Sequence, residues 1–160
     1  MNDFSSETPK SPEIKKKILR IIYIEDQKDF RELIGAELKK IPDVELIASF
    51  PSTEEAKDYL LKLRRENKEL PDGIVSDNDL GIGKATGIQF AKELKKLGFK
   101  IPVVLFTGYA KELRSLSKEY LDGIGVKSIV DKNDLESTRN LVGILKEISL
   151  SSNMPQNKPQ

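Results

Sequence analysis

The stretch "IVSDNDLGIG", Ile74 to Gly83, runs from two β-branched residues into two carboxylates one residue apart and then into a pair of glycines. Ile74 and Val75 read as a buried strand, which places Asp77 and Asp79 at its carboxyl end. Four more apolar runs share that reading. With "GIVS" (Gly73–Ser76) they are "ILRIIYI" (Ile18–Ile24), "VELIASF" (Val44–Phe50), "PVVLFT" (Pro102–Thr107) and "VKSIV" (Val126–Val130), and each is followed by a helical pattern.

The first helix carries Phe30, Leu33, Ile34, Leu38 and Ile41 on one stripe; the second carries Ala56, Tyr59, Leu60 and Leu63 behind a Ser52-x-x-Glu55 capping box. Phe90, Ala91, Leu94 and Leu97 mark the third, which stops at Gly98. A short fourth is expected around Leu113, Leu116 and Tyr120, and a fifth over Leu135, Leu141, Val142, Leu145 and Ile148. Five βα units in succession predict a doubly wound α/β fold with a parallel sheet, because right-handed crossovers return each strand beside its neighbours. In such sheets ligands bind beyond the carboxyl ends of the strands.

Composition narrows the chemistry. The chain has 160 residues, 38% of them hydrophobic and 33% charged, with net charge +1 and neither Cys nor His. One domain is expected over residues 17–149, between polar tails at 1–16 and 150–160 that are expected to be disordered. Without Cys and His there is no thiolate or imidazole metal ligand, no thiol nucleophile and no Ser-His-Asp triad. Near-neutral charge gives no field favouring nucleic acid, and no apolar run approaches the roughly 20 residues that span a bilayer. Neither nucleic acid nor membrane is therefore an expected partner, and the expected location is cytoplasmic.

At the expected rim, Glu25 and Asp26 follow the first strand, Asp77 and Asp79 the third, Thr107 ends the fourth, and Asp131 and Lys132 follow the fifth. Carboxylates held together repel one another and invite a hard divalent cation such as Mg²⁺. With a hydroxyl and an ammonium nearby, the set suits a phosphoryl group, and a carboxylate can itself be the nucleophile. Solvated loop acids are the alternative for any one of these residues, and Asp131 fits it best.

This ordered set resembles the receiver domain of two-component response regulators, the CheY-like superfamily, over roughly residues 17 to 149. The resemblance implies a flavodoxin-like (βα)5 fold with strand order 2-1-3-4-5. It makes Asp77 the phosphoacceptor, with Thr107 and Lys132 contacting the phosphoryl group. Glu25, Asp26, Asp77 and Asp79 become Mg²⁺ ligands, Glu25 directly or through water and Asp79 through its backbone carbonyl. Asp79 and Tyr109 match positions that modulate hydrolysis of the acyl phosphate; a bulky ring at Tyr109 could shield it, and a Tyr that merely packs its ring on the surface at a helix N-terminus is the equal alternative.

The implied donor is a phosphohistidine on a histidine kinase or histidine phosphotransfer protein, which the absence of His requires to act in trans. The readout implied, as a stand-alone receiver, is altered binding to a downstream protein target, a phosphorelay step or phosphoryl storage. It is no conventional enzyme: its own chemistry is self-phosphorylation from a phosphodonor and autodephosphorylation. Three positions depart from the pattern. Leu80 and Gly81 stand where Met-Pro is usual, and Asn133 replaces a Pro, where it is expected to cap the fifth helix. Ile129 occupies the switch position where many members carry Tyr or Phe.

Two other functions compete. Asp77, Asp79, Thr107 and Lys132 also fit the haloacid-dehalogenase phosphatases, although there the Asp-x-Asp ends the first strand and acids come late. A pseudo-receiver that binds partners without phosphorylation is the other. "GIGKATG" fails as a P-loop, having Ala85 after Lys84, and misses the dinucleotide fingerprint by one residue.

Overall fold

The computed structural model describes residues 17–152. The expected tail at 1–16 lies outside the described residues, as does 153–160 of the second; residues 150–152 continue the last helix. The elements are β1 (Leu19–Ile24), α1 (Lys28–Lys39), β2 (Val44–Phe50), α2 (Thr53–Arg65), β3 (Gly73–Ser76), α3 (Gly87–Lys96), β4 (Val103–Thr107), α4 (Ala110–Leu113), α5 (Lys118–Gly123), β5 (Val126–Asp131) and α6 (Ser137–Ser152). All five strands are parallel, in the order β2-β1-β3-β4-β5. This is the doubly wound, flavodoxin-like arrangement expected from the sequence.

Strand alternation divides the core into two layers. Leu19, Ile21 and Tyr23 of β1 join Val75, Val104, Phe106 and Val130 against Ile34 and Leu38 of α1 and Leu141 and Leu145 of α6. Ile22 and Ile24 join Ile74, Val103 and Leu105 against Ala56 and Leu60 of α2 and Phe90 and Leu94 of α3. The central strands β1, β3 and β4 are buried on both faces and read as continuous apolar runs, whereas the edge strand β2 is only half-buried.

Helix ends follow their signals. Ser52 accepts the Glu55 N–H, and Thr86 and Gln89 form a reciprocal capping box on α3. Gly98 takes φ +86° after α3, and the Phe99 N–H returns to the Leu94 carbonyl, closing a Schellman turn. The expected fourth helix is broken in two: the Ser117 hydroxyl caps α5 by accepting the Tyr120 N–H, and its extended backbone interrupts the helical path. Leu33 and Leu135, placed on buried stripes by their spacing, are instead 59% and 103% exposed. Leu135 precedes α6, whose first residue is Ser137.

Candidate functional site

Sheet register assembles the site. Ile24 of β1 pairs with Ser76 of β3, so the residues that follow them, Glu25 and Asp77, emerge side by side; the Asp77 N–H donates to the Ile24 carbonyl at 2.9 Å. Thr107 pairs with Asp131, and the Lys132 N–H donates to the Thr107 carbonyl at 3.0 Å, which brings Lys132 to the same rim.

The Lys132 ammonium donates to Glu25 Oε2 at 2.6 Å and to Asp77 Oδ2 at 2.8 Å. It also lies 4.3 Å from the centre of the Phe30 ring and 5.8 Å from that of Phe106, so aromatic faces hold the cation from the other side. Glu25 is 1% exposed and Asp77 7%. Burial pushes the Glu25 carboxyl up to about 7, against the pull of its hydrogen bond and charge attraction to Lys132, and the Asp77 charge adds to the rise.

Glu25, Asp26 and Asp77 each bring a carboxylate oxygen to within 4.8 Å of the others. An all-oxygen, anionic donor set of this kind fits Mg²⁺, which takes one or two carboxylates and keeps several waters. Asp26 is exposed, on the open side of the cluster. Its turn is tied down by Arg31, whose guanidinium donates to the Glu25 carbonyl at 2.7 Å and the Asp26 carbonyl at 3.4 Å.

The Asp79 carboxylate is not part of this cluster. It accepts the Gly81 N–H at 3.2 Å, while the Asp79 N–H donates to Asp77 Oδ1, also at 3.2 Å. The loop that follows is anchored where α3 begins: the Gly87 N–H donates to the Asn78 carbonyl, and Asn78 Oδ1 accepts from the Ile88 N–H. A Cβ at Gly87 would sit 2.7 Å from Leu105 Cδ2 and 2.8 Å from the Asp77 carbonyl oxygen, so only glycine fits. Leu80 is 4% exposed and joins the apolar core beneath the loop.

Thr107 is fully buried, and its Oγ1 accepts the Tyr109 N–H at 3.2 Å. The Tyr109 ring is 54% exposed at the rim. Ile129 pairs with Leu105 and packs half-buried against the core layer on the α3 face. Asn133 does not cap a helix: its side-chain amide donates to the Gly108 carbonyl at 2.9 Å, bracing the loop after β4, and α6 starts four residues later. Asp131 Oδ1 accepts the Asn133 N–H in the same turn.

Three residues near the rim are not among the expected site residues. Phe30 reads in the sequence as part of the α1 stripe, whereas Arg31, a basic residue in the first turn after an acidic strand end, is a visible signal. Tyr23 lies in an apolar strand run, where its hydroxyl gives no signal.

No protein-family model matches the chain. Among curated proteins it is similar to a protein-glutamate methylesterase/protein-glutamine glutaminase of Treponema denticola, 28% identical over 131 residues, covering 82% of this chain and 33% of that one. A second, from Rhodopseudomonas palustris, is 26% identical over 148 residues and covers 91% and 38%. The chain thus spans about a third of the length of the curated relatives it matches. Among solved structures, the response regulator domain of Thermotoga maritima CheB superposes with a TM-score of 0.63 at 17% identity, covering 87% of this chain and 99% of that one. A response regulator receiver domain protein from Clostridium thermocellum gives 0.63 at 18% identity, covering 83% and 95%. The chain has the fold of response regulator receiver domains. Among the described residues no helix is long and apolar enough to cross a membrane.

Proposed function

We propose that this protein is a phosphoacceptor receiver, in which Asp77 takes a phosphoryl group from a phosphohistidine on a histidine kinase or histidine phosphotransfer protein. The observation that carries this reading is the Lys132 ammonium held between the two buried carboxylates of Glu25 and Asp77 at the carboxyl ends of β1 and β3. A carboxylate oxygen of Asp77 attacks phosphorus, the P–N bond of the donor breaks, and the imidazole leaves with the electron pair. The product is an acyl phosphate on Asp77.

Glu25, Asp26 and Asp77, with the Asp79 backbone carbonyl, would hold Mg²⁺, which when bound neutralises phosphoryl oxygens as charge shifts toward them. Lys132 pairs with another of those oxygens and Thr107 donates its hydroxyl to a third. Asp79 and Tyr109 border the path by which water reaches the acyl phosphate, so they set how fast it is hydrolysed. Transfer of Lys132 and Thr107 onto the phosphoryl group shifts the β4–α4 region between two arrangements and changes which downstream protein binds. At the switch position Ile129 brings no aromatic ring to this transition, so Thr107 and the short α4 carry it.

The placement of Asp79 weighs against a haloacid-dehalogenase-type phosphatase. There a second aspartate beside the nucleophile serves as acid and base, whereas the Asp79 carboxylate is exposed and bonded to Gly81. The test is intact mass after incubation with Mg²⁺ and phosphoramidate, with Asp77→Asn and EDTA controls. Gain of one phosphoryl group, lost in both controls, supports the reading; no gain in folded protein contradicts it and favours phosphorylation-independent partner binding.

A further inference from the structure

Tyr23 sits on β1 two residues before Glu25, so both side chains project to the same side of the sheet. It is fully buried in the core layer with Phe106 and Val130. Its hydroxyl is the one buried side-chain polar atom among the described residues that has no hydrogen-bond partner. Burial raises the phenol's pKa, and the charges of Glu25 and Asp77 raise it further, so the group stays protonated and remains a donor. Glu25 also bears on it as an acceptor, but the hydroxyl is not in bonding position.

A buried donor with nothing to donate to is rare in folded proteins and calls for an explanation. The neighbouring acceptor supplies one. Glu25 is served in this arrangement by Lys132, which is shared with Asp77. A carboxylate accepts several hydrogen bonds, and a phosphoryl group built on Asp77 competes with Glu25 for the one ammonium that the two carboxylates share. Glu25 is 1% exposed, so bulk solvent does not reach its carboxylate.

Resting on the phosphoacceptor reading, we propose that the Tyr23 hydroxyl is the donor that takes over the Glu25 carboxylate when the Lys132 ammonium turns to the phosphoryl group. Tyr23 is then a positioning residue: it touches neither phosphoryl group nor metal, and holds Glu25 in place for both. The handover needs the flexible lysine head to leave and the Glu25 carboxylate and the Tyr23 hydroxyl to close into bonding position, a side-chain movement at two residues of one strand.

Tyr23→Phe tests this, since it deletes the hydroxyl and keeps the ring. Two measurements are made. The first is chemical unfolding without Mg²⁺ or phosphodonor, in the wild-type and in the Lys132→Ala background. Tyr23→Phe leaves the wild-type unfolding constant unchanged or improves it, but worsens it about ten-fold where Lys132 is absent, because the hydroxyl is then already bonded to Glu25. The second is the dissociation constant for beryllofluoride, a phosphoryl mimic, with Mg²⁺, which rises about ten-fold in Tyr23→Phe. Equal losses in the two backgrounds, or beryllofluoride binding as tight as wild type, overturn the role of Tyr23 and leave the phosphoacceptor reading intact. Failure of wild-type protein to bind beryllofluoride at all overturns both.

Discussion

The ammonium of Lys132 lies 2.6 Å from Glu25 Oε2, joining residues 107 positions apart in a pair whose side chains are 12% and 1% exposed. Removing one partner of such a pair leaves a buried charge uncompensated, a loss of about 3–5 kcal/mol where the partner cannot neutralise. Lys132→Ala takes away the pull that holds the Glu25 carboxyl down, so Glu25 takes up a proton more readily and the expected loss stays below that bound, about 1–2 kcal/mol at about pH 8 and clearly less at about pH 5, where Glu25 is already protonated. Urea unfolding at the two pH values measures it.

The raised Glu25 pKa predicts the sign of the pH dependence. Its folded value of about 7 lies above the ordinary value of 4.5, so between them the native state binds more protons than the unfolded chain. Stability from this group is fully present below the ordinary value and is lost as pH rises through the folded one. In EDTA, unfolding free energy is expected to fall by on the order of 2 kcal/mol between about pH 5 and pH 8. Glu25→Gln flattens that slope, and added Mg²⁺ offsets the loss at the alkaline end, where the carboxylate is free to bind it.

Gly87 carries a steric prediction. Alanine there would place its Cβ 2.8 Å from the Asp77 carbonyl oxygen, which is fixed in the backbone, and 2.7 Å from Leu105 Cδ2. Gly87→Ala is expected to cost about 1–3 kcal/mol of stability and to lower phosphoryl uptake, because relief of the clash moves Asp77. Equal uptake per folded molecule would show that the α3 junction does not position the acceptor.

Much of this arrangement was legible in the sequence. β-branched runs located the five strands to within a residue or so at each end, and the ordered acids, hydroxyl and lysine then fell where parallel strands open. Where the structure departs from the reading, a missing cover or a side-chain hydrogen bond outweighed the apolar spacing. Leu33 and Leu135 had the right spacing but no helix or sheet to cover them, and Asn133 gave its side chain to the Gly108 carbonyl. The break between α4 and α5 turns on one serine hydroxyl that found a backbone partner at Tyr120. The unpartnered Tyr23 hydroxyl was beyond sequence reading, since in an apolar run a buried tyrosine differs from a phenylalanine only by what its oxygen touches.

Tyr109 makes a kinetic prediction. Its backbone is tied to Thr107 Oγ1 while its ring stands 54% exposed over the rim. If the ring shields the acyl phosphate, Tyr109→Ala speeds its spontaneous loss by about three- to ten-fold, less than 1.4 kcal/mol in barrier, with little change in stability. Decay of phosphorylated protein followed by intact mass decides it; an unchanged rate means that the ring stands clear of the water's path.

The central claim is that Asp77 accepts the phosphoryl group, and borohydride trapping tests it most directly. Reduction of an aspartyl phosphate yields homoserine, a permanent mark that peptide mass spectrometry assigns to one position. After treatment with Mg²⁺ and phosphoramidate, the account predicts homoserine at position 77 and at no other acid. Homoserine elsewhere, or a phosphate that borohydride does not remove, would contradict it.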